Sequence, residues 1–141
     1  MNATSGAAGA VTFVWLGMVL AISFLEAPLK FRAPGVTIPL GLGIGRLVFR
    51  ALNAVETALC AALAALLVAG GTSVPTAWLT VAAAALLVLQ LAAIRPVLNR
   101  RSDRVLAGED LPRSRAHLWY VAAEVVKVGV LLALGIGLLI A

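Results

Sequence analysis

Four stretches of this chain stay apolar long enough to cross a bilayer: residues 7–27, 45–70, 75–97 and 116–141. A crossing helix needs about 20 apolar residues at a rise of about 1.5 Å each. In hydrocarbon every backbone N–H and C=O must be paired within the chain, so long uninterrupted runs predict helices. The strict alternation of a membrane barrel is absent. The expected fold is therefore all-α: one transmembrane domain over residues 1–141, a membrane-embedded four-helix bundle that reads as two tandem helical hairpins. The first run is expected to be a retained helix, because residues 1–10 carry no Lys or Arg and Leu25-Glu26-Ala27-Pro28 is a poor cleavage site. Between the first two runs, Pro34, Pro39, Gly41, Gly43 and Gly45 predict an irregular segment over 28–45 that lies on, or dips into, the interface. Gly41, Gly43 and Gly45 lack the spacing and the preceding strand of a dinucleotide fingerprint. Anion binding on free N–H groups there is a minority reading. Arg95-Pro96 is expected to break the end of the third run.

The polar positions inside the runs carry the chemistry. A charge at the centre of a membrane helix costs about 2.5–3.5 kcal/mol on insertion scales, so such residues turn inward. Steps of 100° per residue place Arg46, Arg50, Asn53, Thr57 and Cys60 in one stripe with Glu56 on its flank. His117, Glu124 and Val128 form a matching stripe, flanked by Tyr120 and Lys127. Asn53 and Glu124 lie roughly 10 Å into their helices, Glu56 and Lys127 roughly 15 Å. Glu26, Gln90 and Arg95 fall near the same level. These residues (Glu26, Arg50, Asn53, Glu56, Gln90, Arg95, His117, Tyr120, Glu124 and Lys127) are the candidate lining of a polar pocket. Their charges also match in pairs, Glu56 with Lys127, Glu26 with Lys30 or Arg95, and Glu124 with Arg50. Helix registration by polar pairs is thus the competing, purely structural reading.

The two hairpins also show a possible duplication. Displaced by 71 positions, the second run falls on the fourth: Arg46 meets His117, Phe49 meets Tyr120, Asn53 meets Glu124 and Glu56 meets Lys127. Four independent helices remain the alternative. Trp78, Trp119 and Tyr120 fall where interfacial aromatic belts are expected. Ala54, Ala58, Ala61 and Ala65 supply small residues for close helix approach.

Composition narrows the function class. The chain is 62% hydrophobic and 12% charged, with a mean hydropathy of +1.07; soluble domains carry about 25% charged residues. An ordinary soluble enzyme, a disordered tail and a nucleic-acid module are excluded, so no nucleic-acid partner is expected despite a net charge of +5. One Cys and one His exclude a Cys/His metal cage within one chain, and the sequence identifies no cofactor. The basic residues sit at one end of the hairpins: Lys30, Arg32, Arg46 and Arg50, then Arg95, Arg100, Arg101, Arg104, Arg113 and Arg115. Both connections are therefore expected in the cytoplasm and both termini outside, in a cell (inner) membrane.

The strings Phe24-Leu25-Glu26-Ala27-Pro28-Leu29-Lys30-Phe31 and Gly43-Ile44-Gly45-Arg46-Leu47-Val48-Phe49-Arg50-Ala51-Leu52-Asn53 resemble those of an uncharacterised family of small bacterial four-helix integral membrane proteins. The resemblance implies the fold over the whole chain and carries over no functional residue. Three functions follow as expectations. The first is binding or transport of a small ligand, or lipid handling, in a cytoplasm-facing polar pocket. The second is a small membrane enzyme using His117, Glu124 and Glu56 for acid–base chemistry on a lipidic substrate. The third is an accessory or scaffold subunit. The expected partners are the lipid bilayer and either further copies of this chain or a larger membrane complex.

Overall fold

Local signals set the helix starts. Asn2 caps the first helix: its side chain accepts from the Ser5 N–H at 2.8 Å, while Ser5 Oγ accepts from the Asn2 N–H at 3.0 Å. Thr37 and Ser73 cap the second and third helices, each with a proline in the first turn, where no intrahelical donor is needed. A computed structural model describes residues 2–109 and 115–140. It shows four long helices and, among the described residues, no strand. They are α1 (Ala3–Arg32), α2 (Ile38–Gly70), α3 (Val74–Leu106) and α4 (Arg115–Ile140), each long and apolar enough to cross a membrane. Asp110 and Arg113 of the second basic connection lie outside the described residues.

Three expectations need correction. The segment over 28–45 is not irregular throughout. It closes with a 3-10 turn at Lys30–Arg32 and a bend, and the Thr37 cap with Pro39 starts α2 at Ile38, so Gly41, Gly43 and Gly45 are helical. Arg95-Pro96 does not end the third helix, which runs on to Leu106. A proline lacks the N–H for the i−4 carbonyl and crowds that carbonyl, and the helix accommodates this by widening. Both prolines follow such a wide turn: Leu20–Glu26 precedes Pro28, and Gln90–Ile94 precedes Pro96. There the Ala27 N–H reaches the Ile22 carbonyl and the Arg95 N–H reaches that of Gln90, both i→i−5 bonds. Tyr120 is buried rather than part of a belt, whereas Trp78 and Trp119 do face outward.

Helix α1 packs between α2 and α4, and α3 packs between the same two helices on the other side. Helices α2 and α4 therefore face each other across the bundle axis. The core toward the terminal end is apolar: Ala8, Trp15, Leu63, Ala83, Leu131 and Leu134 are sealed there. The outward surface is apolar as well, with Leu47, Val68, Trp78, Val88 and Ile140 all largely exposed. In water such a surface would drive aggregation; in a bilayer it is the ordinary exterior.

Candidate functional site

The centre of the bundle holds a polar cluster drawn from all four helices. Lys127 is completely buried and its ammonium has three close partners: Glu56 Oε1 at 2.5 Å, Glu124 Oε1 at 2.6 Å and Gln90 Oε1 at 2.7 Å. An ammonium has three N–H donors, so every one of them finds an acceptor. Gln90 also donates from Nε2 to Glu124 Oε1 at 2.7 Å. The Ser23 hydroxyl donates to Glu124 Oε2. From α1, the Trp15 indole N–H donates to Glu56 Oε1 at 2.9 Å. The two wide turns each supply one partner of Glu124, Ser23 from the first and Gln90 from the second. A π-turn changes the rotational register of what it carries, and here it accompanies two polar side chains aimed at the bundle axis.

Above this cluster, at the basic end, a cavity of about 480 Å³ opens among all four helices. Its floor is Ser23 and Glu124, its walls include Phe24, Phe31, Leu42, Phe49, Leu98 and Val121, and its polar groups include Lys30, Arg46, Arg95, His117 and Tyr120. Arg95 lies between two rings, its guanidinium carbon 4.8 Å from the Phe49 centroid and 4.6 Å from that of Tyr120. The two rings meet edge to face at 5.7 Å. Lys30 approaches the same Phe49 ring at 5.8 Å. These contacts place cations over ring faces, where the quadrupole attracts them. A second cavity of about 310 Å³, lined by Asn2, Thr4, Ser73 and Thr76 among others, lies at the end of the bundle that holds both termini.

Two glycines shape the first cavity. A Cβ on Gly45 would stand 2.8 Å from Lys30 Nζ, and one on Gly41 would collide with the Phe31 ring. The glycines thus let the last turn of α1 lie against α2, which seats Lys30 in the wall. Alanine is favoured over glycine in a helix by about 1 kcal/mol. Gly45→Ala is therefore expected to leave stability nearly unchanged, because the flexible Lys30 tip moves aside. Gly41→Ala is expected to destabilise by about 1–3 kcal/mol, because a ring must shift. Thermal unfolding in detergent checks the order, and an equal effect at both sites would show that Phe31 is not held as described.

The sequence-predicted residues separate into groups. Glu56, Gln90, Glu124 and Lys127 meet in the cluster. Asn53 is buried one turn before Glu56, and neither Asn53 Oδ1 nor Glu56 Oε2 has a hydrogen-bond partner. Tyr120 and Arg95 line the cavity, and His117 stands exposed at its edge. Glu26 faces Lys30 at 3.8 Å, outside the cavity lining. Arg50 is exposed, outside both cavity and cluster, so its expected pairing with Glu124 does not form. Lys127, Gln90 and Ser23 hold that carboxylate instead. Sequence reasoning missed Trp15 and Ser23. The available signal was weak: Trp15 and Ser23, with Thr12, are the uncharged donor-bearing side chains of an otherwise apolar run, on the helix that supplies partners to Glu56 and Glu124. Positions matched by the 71-residue displacement meet across the axis: Glu56 with Lys127, and Phe49 with Tyr120. Among the described residues, no group of three or more His, Cys, Asp or Glu side chains is arranged to hold a metal ion.

Comparison of the chain with protein-family models, with curated proteins and with solved structures finds no match.

Proposed function

We propose that the protein spans a membrane with its basic end in the cytoplasm and binds a small ligand in the cavity at that end, as a transporter-like or lipid-handling protein. The supporting observation is the cavity itself. Bundles that only need to stay registered fill their interior, yet about 480 Å³ stays open directly above the buried polar cluster. That volume falls in the usual range for small-molecule sites, about 300–1,000 Å³. The apolar exterior and the gathering of basic residues at one end support the placement.

Acid–base catalysis is less well supported by the same geometry. Both oxygens of Glu124 already accept hydrogen bonds, Glu56 is sealed, and His117 is exposed at the edge. None of the three presents a free base to the cavity interior.

The test is to fill the cavity. Leu98→Trp adds a bulky side chain at the wall. Native mass spectrometry of wild-type and variant protein, extracted from membranes at low expression, reads what each retains. The expected result is a bound small molecule on the wild type and its loss from the variant, with folding unchanged by circular dichroism. Equal retention by both would remove the ligand from the cavity, and a stoichiometric larger protein on both would favour the scaffold reading.

A further inference from the structure

Inside the cavity the hydrogen-bonding groups do not balance. Its one carboxylate, Glu124, is engaged at both oxygens: Oε1 accepts from Gln90 and Lys127, and Oε2 accepts from Ser23. The donors are not. Tyr120 is only 4% exposed, and its hydroxyl hydrogen finds no acceptor, because the neighbouring Arg95 guanidinium carries donors only; the buried Nε–H of Arg95 has no partner either. The Lys30 ammonium, 11% exposed, stands 3.8 Å from its nearest carboxylate, beyond hydrogen-bond length. A buried donor left unmade is expensive, and a guanidinium or ammonium away from water more so. A cationic or donor-rich ligand would meet a carboxylate already in use and two cations, Arg95 and Lys30, that can only donate. A ligand with an acceptor-rich, negatively charged head would satisfy all three. The remaining wall is aromatic and aliphatic, so the rest of the ligand is apolar.

Resting on the pocket reading above, we infer that the cavity is a site for an anionic amphiphile. Its carboxylate or phosphate head is held by Arg95, Tyr120 and Lys30, and its apolar body lies against Phe24, Phe31 and Leu98. The planar guanidinium, pinned between two rings, is pre-organised for such a head. The shared chemistry fits two sources, the phosphodiester head of a bilayer lipid or a free long-chain acid.

The experiment is isothermal titration of the whole protein in neutral detergent with three probes: oleate, a short-chain phosphatidylglycerol, and a quaternary ammonium amphiphile of matched chain length. Saturable binding of at least one anionic probe is expected, with the cation at least tenfold weaker. Tyr120→Phe, which removes a single oxygen, and Arg95→Gln are each expected to weaken the anion about tenfold or more, the size of a lost hydrogen bond to a charged group. Tighter oleate assigns the site to a free acid, and tighter phosphatidylglycerol to a lipid head. If the cation binds as well as the anions, the anionic class is wrong and the pocket reading stands; if both substitutions leave anion affinity unchanged while Leu98→Trp abolishes it, the assignment of the head to Arg95 and Tyr120 is wrong and the pocket reading stands. If no probe binds and Leu98→Trp also leaves native retention unchanged, both readings fall together.

Discussion

Lys127→Met is expected to be the most damaging single substitution in the chain. It removes a fully buried ammonium from contact with Glu56, Glu124 and Gln90 and leaves two buried carboxylates without their counter-charge. Removing one partner of a buried ionic group typically costs about 3–5 kcal/mol, while replacing the whole group with apolar or neutral side chains is often tolerated. The triple substitution Lys127→Met, Glu56→Gln and Glu124→Gln is therefore expected to be far more stable than Lys127→Met alone. Unfolding in mixed micelles of denaturing and neutral detergent reads both. A Lys127→Met protein as stable as wild type would mean that the cluster is solvated and not sealed. A triple variant no better than the single would mean that Lys127 acts through packing and not through charge.

The elements were legible in the sequence because hydrophobic runs and basic ends are local. The inward faces were only half legible. On α2 the buried positions Gly45, Leu52, Glu56, Leu63 and Leu67 lie within a narrow sector at 100° per residue, and Arg50 falls about 120° away from Glu56. The sequence reading centred the stripe on Arg46, Arg50 and Asn53 and put Glu56 on the flank, whereas Glu56 lies at the centre of the buried face. On α4 the same displacement puts Tyr120 and Lys127 at the centre and His117 at an exposed edge. Residues near the basic end can reach water or headgroups, so polarity there does not mark the inward face. Only the deep residues do, and of these Glu56, Gln90, Glu124 and Lys127 were visible by their expense in hydrocarbon. Trp15 and Ser23 were not, because neither carries a charge and their partners depend on α1 packing between α2 and α4. The wide turns before Pro28 and Pro96 were also illegible: each proline signals a break, but whether the helix ends or widens depends on what its neighbours hold in place.

Gln90→Leu tests that last dependence and is expected to rank next in cost. The Gln90 amide sits at the start of the wide turn before Pro96 and works in both directions, accepting from Lys127 and donating to Glu124, both at 2.7 Å. Leucine fills similar space and makes neither bond, so one ammonium donor and one lone pair of a carboxylate are left unmade in a sealed site. Hydrogen bonds to charged groups contribute about 1.5–3 kcal/mol each, and two bonds in one network do not add in full, which sets the expected loss at about 3 kcal/mol, below that of Lys127→Met. Gln90→Asn separates chemistry from reach: it keeps the amide but shortens the arm by one carbon, so it is expected to recover one of the two bonds and about half of the loss. In the Lys127→Met, Glu56→Gln, Glu124→Gln background the charged partners are gone, and Gln90→Leu should there cost little. A double-mutant cycle between the two sets of changes measures that coupling directly. An additive result would place Gln90 outside the cluster and assign the wide turn to Pro96 alone.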